Sequence, residues 1–268
     1  MVEPSTSPAR QTGRVLDPQL PDLTGAVVLV TGASGGVGGG IARRFAAAGA
    51  AVGVAYGAGA DRAAALVAEI EAGGGRAVAL TADVTDPDAC AELVAGSLER
   101  LGGLDAVVAA AGIQPVADLA GMTVAEWRAV LDADATGSFA TLQAAAPVLP
   151  DGGSITLVAS IEGSRPARGH AHYAAAKAAT VMLARAAAVE YGPRIRVNSV
   201  SPGLVARPGI ADEWPDGVAR WRSGAPLAEL VAPEAVGDAC VFLASTMARS
   251  VTGHDLVVDA GMAAVLGW

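Results

Sequence analysis

Short apolar runs rich in Val and Ala recur along the chain at Ala26–Val30, Ala51–Ala55, Ala77–Leu80, Leu104–Ala109, Ser154–Ala159, Ile195–Val200 and Leu256–Val258. They are continuous and do not alternate apolar with polar. A strand buried on both faces has that pattern, as in a parallel sheet. Helical stretches separate the runs. A Gly-rich segment at 32–40 leads into a helix ending near Ala48. Asp61–Ala72 is stopped by Gly73, Gly74 and Gly75. Asp86 before Pro87 is an N-cap with proline at the first helical position, opening a helix to Leu101. Thr123-Val124-Ala125-Glu126 is a capping box. It opens a long helical region, broken near Asp132–Gly137 and over before Pro150. His172–Glu190 and Pro233–Leu243 are the remaining predicted helices. Strands alternating with helices predict an α/β, doubly wound domain: a seven-stranded parallel sheet with helices on both faces. One domain spans 23–268, preceded by an extension at 1–22 that is polar, contains Pro4, Pro8, Pro18 and Pro21, and is expected to be flexible or draped.

Composition narrows the class. The chain has 268 residues, 52% hydrophobic and 17% charged, enough for one large domain with a full core. No apolar stretch reaches the length of a membrane span. The first 22 residues lack the apolar segment of a signal peptide, so the cytoplasm is the expected location. A net charge of −9 argues against a general nucleic-acid surface. Cys90 and Cys240 are widely separated and read as small core residues, not a disulfide framework. His170 and His172 lack a third partner for zinc, and His254 is distant in sequence, so no metal site is expected.

The chemistry concentrates in three places. Gly32, Gly36 and Gly38 follow the first strand and open the first helix, where backbone N–H groups can meet a pyrophosphate. The spacing is neither GxGxxG nor a Walker loop, and the chain has 34 glycines, so the turn alone is weak evidence. The second is Lys177, the only lysine, four residues after Tyr173: an ammonium one helical turn from a phenol, on the same face. The third is Ser160, ending the fifth strand thirteen residues before Tyr173.

These ordered motifs resemble the short-chain dehydrogenase/reductase family in its compact form, over roughly residues 22–262. The resemblance rests on Thr31-Gly32-x3-Gly36-x-Gly38, Asp83-Val84, Ala111-Gly112, Ser160, Tyr173-x3-Lys177, Asn198, Pro202-Gly203, Val251-Thr252-Gly253 and Asp259-Ala260-Gly261. It implies a Rossmann-like fold and an NAD(P)(H)-dependent enzyme interconverting a ketone and a secondary alcohol, nearest to ketoreductases of 3-oxoacyl groups or cyclic ketones. Tyr173 is then the acid or base, and Lys177 lowers its pKa and holds the ribose. Ser160 binds the carbonyl oxygen. The cofactor would lie on Gly32, Ser34, Gly35, Gly36, Val37, Gly38, Tyr56, Asp83, Val84, Ala110, Ala111, Gly112, Tyr173, Lys177, Pro202, Gly203, Val205 and Arg207. The family also implies a homotetramer or homodimer, with Trp127 and Phe139 on helices that pair subunits or line the core and Trp268 near an interface.

The chain departs from the family pattern in several places. Ala109-Ala110-Ala111-Gly112 stands where the family has Asn-Asn-Ala-Gly. Asp134 occupies the place of the catalytic Asn, whose backbone carbonyl positions a water linked to the lysine. A carboxylate there keeps the backbone role, cannot donate as an amide does, and can retune Tyr173. Arg207 replaces a common Thr; it can grip pyrophosphate or an acidic substrate, or face solvent. Tyr56 stands where NAD-preferring members carry Asp, which favours NADP(H) over NAD(H). Arg43 and Arg62 serve a 2′-phosphate only if the fold brings one of them round.

Residues 204–230 correspond to the family's variable substrate lid. Trp214 and Trp221 within it suit a broad apolar or aromatic substrate, or equally lid-to-body packing. Gln114, Ile161, Glu162 and Arg168 are the other expected substrate contacts, and Pro115, Arg165, His170 and His172 edge the same cleft. Arg165 and Arg168 leave open a phosphate or carboxylate, as on a carrier-bound substrate. The altered Ala109, Ala110, Asp134 and Arg207 leave two alternatives: a non-redox enzyme of the same fold, such as a cyclase or dehydratase, or a catalytically silent nucleotide-binding protein.

Overall fold

A computed structural model describes residues 19–265. Seven strands form one parallel sheet: β1 (Val27–Val30), β2 (Ala51–Tyr56), β3 (Arg76–Thr81), β4 (Ala106–Ala109), β5 (Ser154–Val158), β6 (Arg196–Pro202) and β7 (Asp255–Val258). Their order is β3-β2-β1-β4-β5-β6-β7. Val28 and Val30 of β1 pair with Val52 and Val54 of β2 on one side and Ala106 and Val108 of β4 on the other. The chain reverses its direction of travel across the sheet between β1 and β4. Ligands of open α/β sheets bind in such a crevice, at the carboxyl ends of the strands.

Helices cover both faces. They are α1 (Gly36–Ala47), α2 (Ala60–Ala72), α3 (Pro87–Leu101), α4 (Val124–Leu131), α5 (Gly137–Ala145), α6 (Ala171–Tyr191), α7 (Ile210–Glu213), α8 (Pro215–Gly224) and α9 (Pro233–Ala244). The core is split by the sheet. One cluster joins Val28 and Val30 to Ile41 and Phe45 of α1 and Val236 and Cys240 of α9. The other joins Leu29 and Val107 to Leu93 of α3, Leu142 of α5 and Ala184 of α6. Val28, Leu29 and Val30 are fully buried, alternating between the two clusters. Each such side chain contributes about 1.5–3 kcal/mol.

Local signals set the helix starts as expected. Asp86 accepts from the Asp88 N–H at 2.9 Å ahead of Pro87. The capping box closes reciprocally, with Glu126 N–H to Thr123 Oγ1 at 3.2 Å and Thr123 N–H to Glu126 Oε2 at 2.7 Å. The break expected near Asp132–Gly137 is a π-helical turn, Asp132–Thr136, between α4 and α5. A π turn adds a residue to the helical repeat and re-aims the side chains it carries, often at functional sites. Strand and helix bounds otherwise differ from the sequence reading by a residue or two. The larger difference is the lid. Residues 204–230 contain two short helices, α7 and α8, that hydrophobic periodicity does not announce. α7 has only 4 residues, and α8 is set by Pro215 at its first turn.

Of the expected N-terminal extension, residues 1–18 lie outside the described residues, as does Trp268; Leu20 packs against the first core cluster. Among the described residues, no helix is long and apolar enough to cross a membrane.

Candidate active site

The crevice is built from the carboxyl ends of β1 to β6. After β1, the chain turns sharply at Gly32 (φ +66°), a left-handed conformation that glycine adopts without strain. A Cβ on Gly32 would stand 2.7 Å from the Ala111 backbone, and one on Gly38 would collide with the Gly32 carbonyl. The turn is therefore closed on itself and on the segment after β4. Gly35 and Gly36 are exposed at its tip, and a Cβ on Gly36 would meet open space. No side chain caps α1, so its first-turn N–H groups are left for a ligand, as a helix N-terminus that meets an anion requires.

Thr31 stabilises the segment that lacks the family's two asparagines. Its Oγ1 accepts from the N–H groups of Ala110 and Ala111, at 3.0 and 3.2 Å. The alanines thus keep a defined backbone without amide side chains. Asp83, after β3, is exposed and accepts from Thr85 N–H and Oγ1 at 2.9 and 2.8 Å. Those hydrogen bonds hold its carboxyl below the ordinary range. Val84 beside it packs on Gly137 at the start of α5.

Tyr56 ends β2 and is followed by Gly57, Ala58 and Gly59. Just beyond it, Arg62 folds back from α2, and its Nε donates to the Ser34 carbonyl at 3.0 Å. Ser34 Oγ in turn donates to the Ala58 carbonyl at 2.8 Å. The fold thus brings Arg62 to the Gly-rich turn. Arg43 goes elsewhere, forming a two-bond pair with Glu69 at 2.7 and 2.8 Å.

Ser160, Tyr173, Lys177 and Asp134 converge on one point. Ser160 follows β5 in extended backbone, and its Oγ accepts from the Glu162 N–H at 3.1 Å. Tyr173 and Lys177 lie one turn apart on α6, the Lys177 Nζ 5.4 Å from the phenol ring centroid. Nζ donates to the Val158 carbonyl at 3.0 Å. It also lies 3.1 Å from Asp134 Oδ2, both side chains being almost wholly buried. Asp134 Oδ2 has no hydrogen-bond partner among the described residues, so this contact is an ion pair. Asp134 Oδ1 accepts from the Ile113 N–H at 2.7 Å, and the carboxylate packs against Gly112. The Asp134 carbonyl accepts from Ser138 Oγ at 2.6 Å. The side chain of Asp134 therefore meets the lysine directly, while its backbone carbonyl meets Ser138.

Burial pushes the Tyr173 phenol well above its usual range. The hydrogen bond from Ser160 opposes that shift, and the charges of Asp134 and Glu162 add to it. The direction is opposite to the lowering expected from Lys177, whose charge is met by Asp134 3.1 Å away.

The substrate side is partly rearranged. Trp221 is buried, not a free cleft wall: its Nε1 donates to the Glu229 carbonyl at 2.9 Å, and it packs with Ile161, Ala225 and Met262. Its ring also lies against Gly203, so Pro202-Gly203 anchors the lid. Ile161 is likewise buried in this cluster, a correction to its expected substrate role; large aromatic surface is satisfied here by lid-to-body packing. Trp214 is half-exposed, with Arg220 over its ring at 5.8 Å. Val205 forms a bridge to Val231 at the lid's return. Arg207 is half-exposed and bonded to Glu213 Oε2 at 2.5 Å within the lid, the surface placement rather than a grip on pyrophosphate. Arg165 donates to the Val265 carbonyl at 2.7 Å, while Arg168 is exposed. Gln114, Glu162 and His170 are brought together beside Tyr173. The pairing of Glu162 with His170 leaves no signature at their sequence spacing. His172 is buried, its Nδ1 accepting from the Tyr173 N–H at 2.9 Å. Among the described residues, no group of three or more His, Cys, Asp or Glu is placed to hold a metal ion.

The family profile described as Enoyl-(Acyl carrier protein) reductase matches residues 32–263. The chain belongs to the short-chain dehydrogenase/reductase family. It is an NAD(P)-dependent oxidoreductase of that family, and its parallel sheet and crevice are the family's. It is 38% identical over 246 residues to L-rhamnose 1-dehydrogenase (NAD(P)(+)) of Sphingomonas sp. strain SKA58, covering 90% of this chain and 97% of that one. It is 39% identical over 243 residues to cis-4-hydroxycyclohexanecarboxylate dehydrogenase of Sinomonas cyclohexanicum, covering 89% and 97% of the two. The crystal structure of a short chain dehydrogenase from Burkholderia cenocepacia J2315 in complex with NADP superposes with a TM-score of 0.82 at 37% identity, covering 90% of this chain and 98% of that one.

Proposed function

We propose that this short-chain dehydrogenase/reductase interconverts a ketone and a secondary alcohol on a ring-bearing small molecule, with NADP(H) preferred over NAD(H). The convergence of Ser160, Tyr173 and Lys177 on one point of the crevice carries the reading. The residues present fit a dinucleotide: an uncapped helix N-terminus, a glycine tip open to approach, and a guanidinium at the end of β2. Bound there, the nicotinamide supplies or accepts the hydride. Gly35, Gly36 and the first N–H groups of α1 meet the pyrophosphate. Arg62, drawn to the Gly-rich turn, would favour a cofactor that carries a 2′-phosphate, and Tyr56 stands where NAD-preferring members have Asp.

Ser160 holds the carbonyl oxygen, and Tyr173 gives that oxygen its proton in reduction or removes it in oxidation. Lys177 holds the nicotinamide ribose and limits the charge left on the phenolate. Asp134 fixes Lys177 through the ion pair and ties it to the loop after β4 through Ile113. The ring-type substrate is supported by the relative from Sinomonas cyclohexanicum, a dehydrogenase of a hydroxycyclohexane carboxylate. Exposed apolar side chains on the outer helices, Phe139 on α5 and Met182 and Val189 on α6, suit a homodimer or homotetramer.

Titration with NADPH and NADH, followed by nicotinamide fluorescence, tests the cofactor. Turnover of cyclic ketones tests the reaction. Tighter binding of NADPH, with turnover lost in Tyr173→Phe but binding kept, is expected. Equal turnover in Tyr173→Phe would overturn the assignment.

A further inference from the structure

Beside the phenol lies a cluster that the hydride and proton transfers do not use. Glu162 is two residues beyond Ser160, in the turn whose N–H binds the serine oxygen. Its Oε2 lies 2.9 Å from His170 Nδ1, and its Oε1 lies 3.2 Å from the same nitrogen. Gln114 Nε2 donates to Oε1 at 2.9 Å from the loop after β4. The His170 ring stands edge-on to Tyr173, centroids 6.1 Å apart. Three separate elements thus contribute to one polar corner against the reacting phenol.

The corner has spare capacity of one kind. A carboxylate offers about four acceptor positions. His170 and Gln114 take only part of them. The side chains of Glu162 and His170 are 13% and 17% exposed, so the acceptor is largely withdrawn from water yet still reachable. A withdrawn carboxylate makes a strong, charge-assisted hydrogen bond to an O–H donor and repels an anion. Its charge also lies close enough to the phenol to raise Tyr173.

Resting on the ketone–alcohol reading above, we infer that Glu162, oriented by His170 and Gln114, binds a second hydroxyl of the substrate close to the reacting carbon. The preferred substrates are then vicinal diols and hydroxyketones on a ring, not simple cyclic ketones or anionic ones. The pair also fastens the Ile161–Gly163 turn to the start of α6. A purely structural fastening would affect all substrates alike.

The test is a ratio. kcat/KM is measured with NADP+ for trans-cyclohexane-1,2-diol and for cyclohexanol, in the full-length wild-type enzyme, in Glu162→Met and in Gln114→Met. The wild type favours the diol. In Glu162→Met, the diol-to-cyclohexanol ratio falls about 10- to 100-fold, the range for a hydrogen bond to a charged group. Gln114 is exposed. Gln114→Met therefore lowers the ratio by a smaller factor without threatening the fold, and carries the test if Glu162→Met does not fold. A wild type that favours cyclohexanol, or a ratio that survives both substitutions, refutes the inference and leaves the reaction intact. A wild type that oxidises neither alcohol refutes the proposed reaction and the inference together.

Discussion

Replacing Asp134 by Asn removes one negative charge from beside Lys177 and changes little else in shape. The amide oxygen can still accept from the Ile113 N–H, now 2.7 Å from Oδ1. The carboxylate lies 3.1 Å from Nζ, and Nζ lies 5.4 Å from the Tyr173 ring centroid. Those separations, laid end to end, place the carboxylate within about 8.5 Å of the ring. At an effective dielectric constant of about 20, a unit charge at that distance opposes a phenolate by about 2 kcal/mol, somewhat over one pKa unit. Charge on the phenol appears only when the proton leaves, so the carboxylate raises the Tyr173 pKa and its removal lowers it. Lys177, no longer neutralised, shifts Tyr173 in the same direction. Ser160, Glu162 and His170, the other groups facing the phenol, are untouched.

On the proposed reaction, in which alcohol oxidation needs the phenolate, Asp134→Asn should reach half its limiting rate of oxidation about one pH unit lower than the wild type. Ketone reduction, which needs the phenol, should decline about one unit earlier as pH rises. The assay is the pH profile of kcat in both directions, with a deuterated alcohol to show that hydride transfer limits the rate. A profile that does not move, or moves to higher pH, refutes the coupling of Asp134 to Tyr173 through Lys177. Asp134→Ala differs in kind. Besides the counter-charge it removes the oxygens that face the Lys177 ammonium and the Ile113 N–H, and should cost about 3–5 kcal/mol of stability, read by urea unfolding.

Three further outcomes test other parts of the structure. Arg62→Ala should raise KM for NADPH about 10- to 100-fold while leaving KM for NADH within a few-fold, because only the 2′-phosphate loses a charged partner; equal losses for both would remove Arg62 from cofactor choice. Gly38→Ala places a methyl against the Gly32 carbonyl and should abolish fluorescence-detected binding of either nucleotide, whereas retained affinity would mean the turn relaxes freely. Trp221→Ala empties the lid's anchor between Ile161, Gly203 and Met262 and should destabilise by about 3–5 kcal/mol in chemical denaturation, and a loss under 1 kcal/mol, roughly the size of a surface substitution, would return Trp221 to the substrate side.

The architecture was legible because its signals are local. Continuous Val/Ala runs, Asp86 before Pro87 and the Thr123–Glu126 box each act over a few neighbours, and the elements formed within a residue or two of where those signals lie. Even the helix break at Asp132–Thr136 showed as a lapse in periodicity, though not as a π turn. The juxtaposition of Tyr173 and Lys177 needed only the helical repeat. α7 and α8 were not legible, because short helices in a lid owe their form to what they pack on.

The class of fold, the glycine-rich turn after the first strand and the spacing of Ser160, Tyr173 and Lys177 follow from the sequence alone. Tertiary structure alone decided what those side chains meet. Sheet order brought Asp134 onto Lys177, turned Arg62 but not Arg43 toward Ser34, and closed Glu162, His170 and Gln114 into one corner. It also buried Trp221 and left Arg207 with Glu213 in the lid. Propensity and periodicity act between near neighbours in the chain. The electrostatics of a site depends on distances between residues that only the crossovers of the sheet bring together.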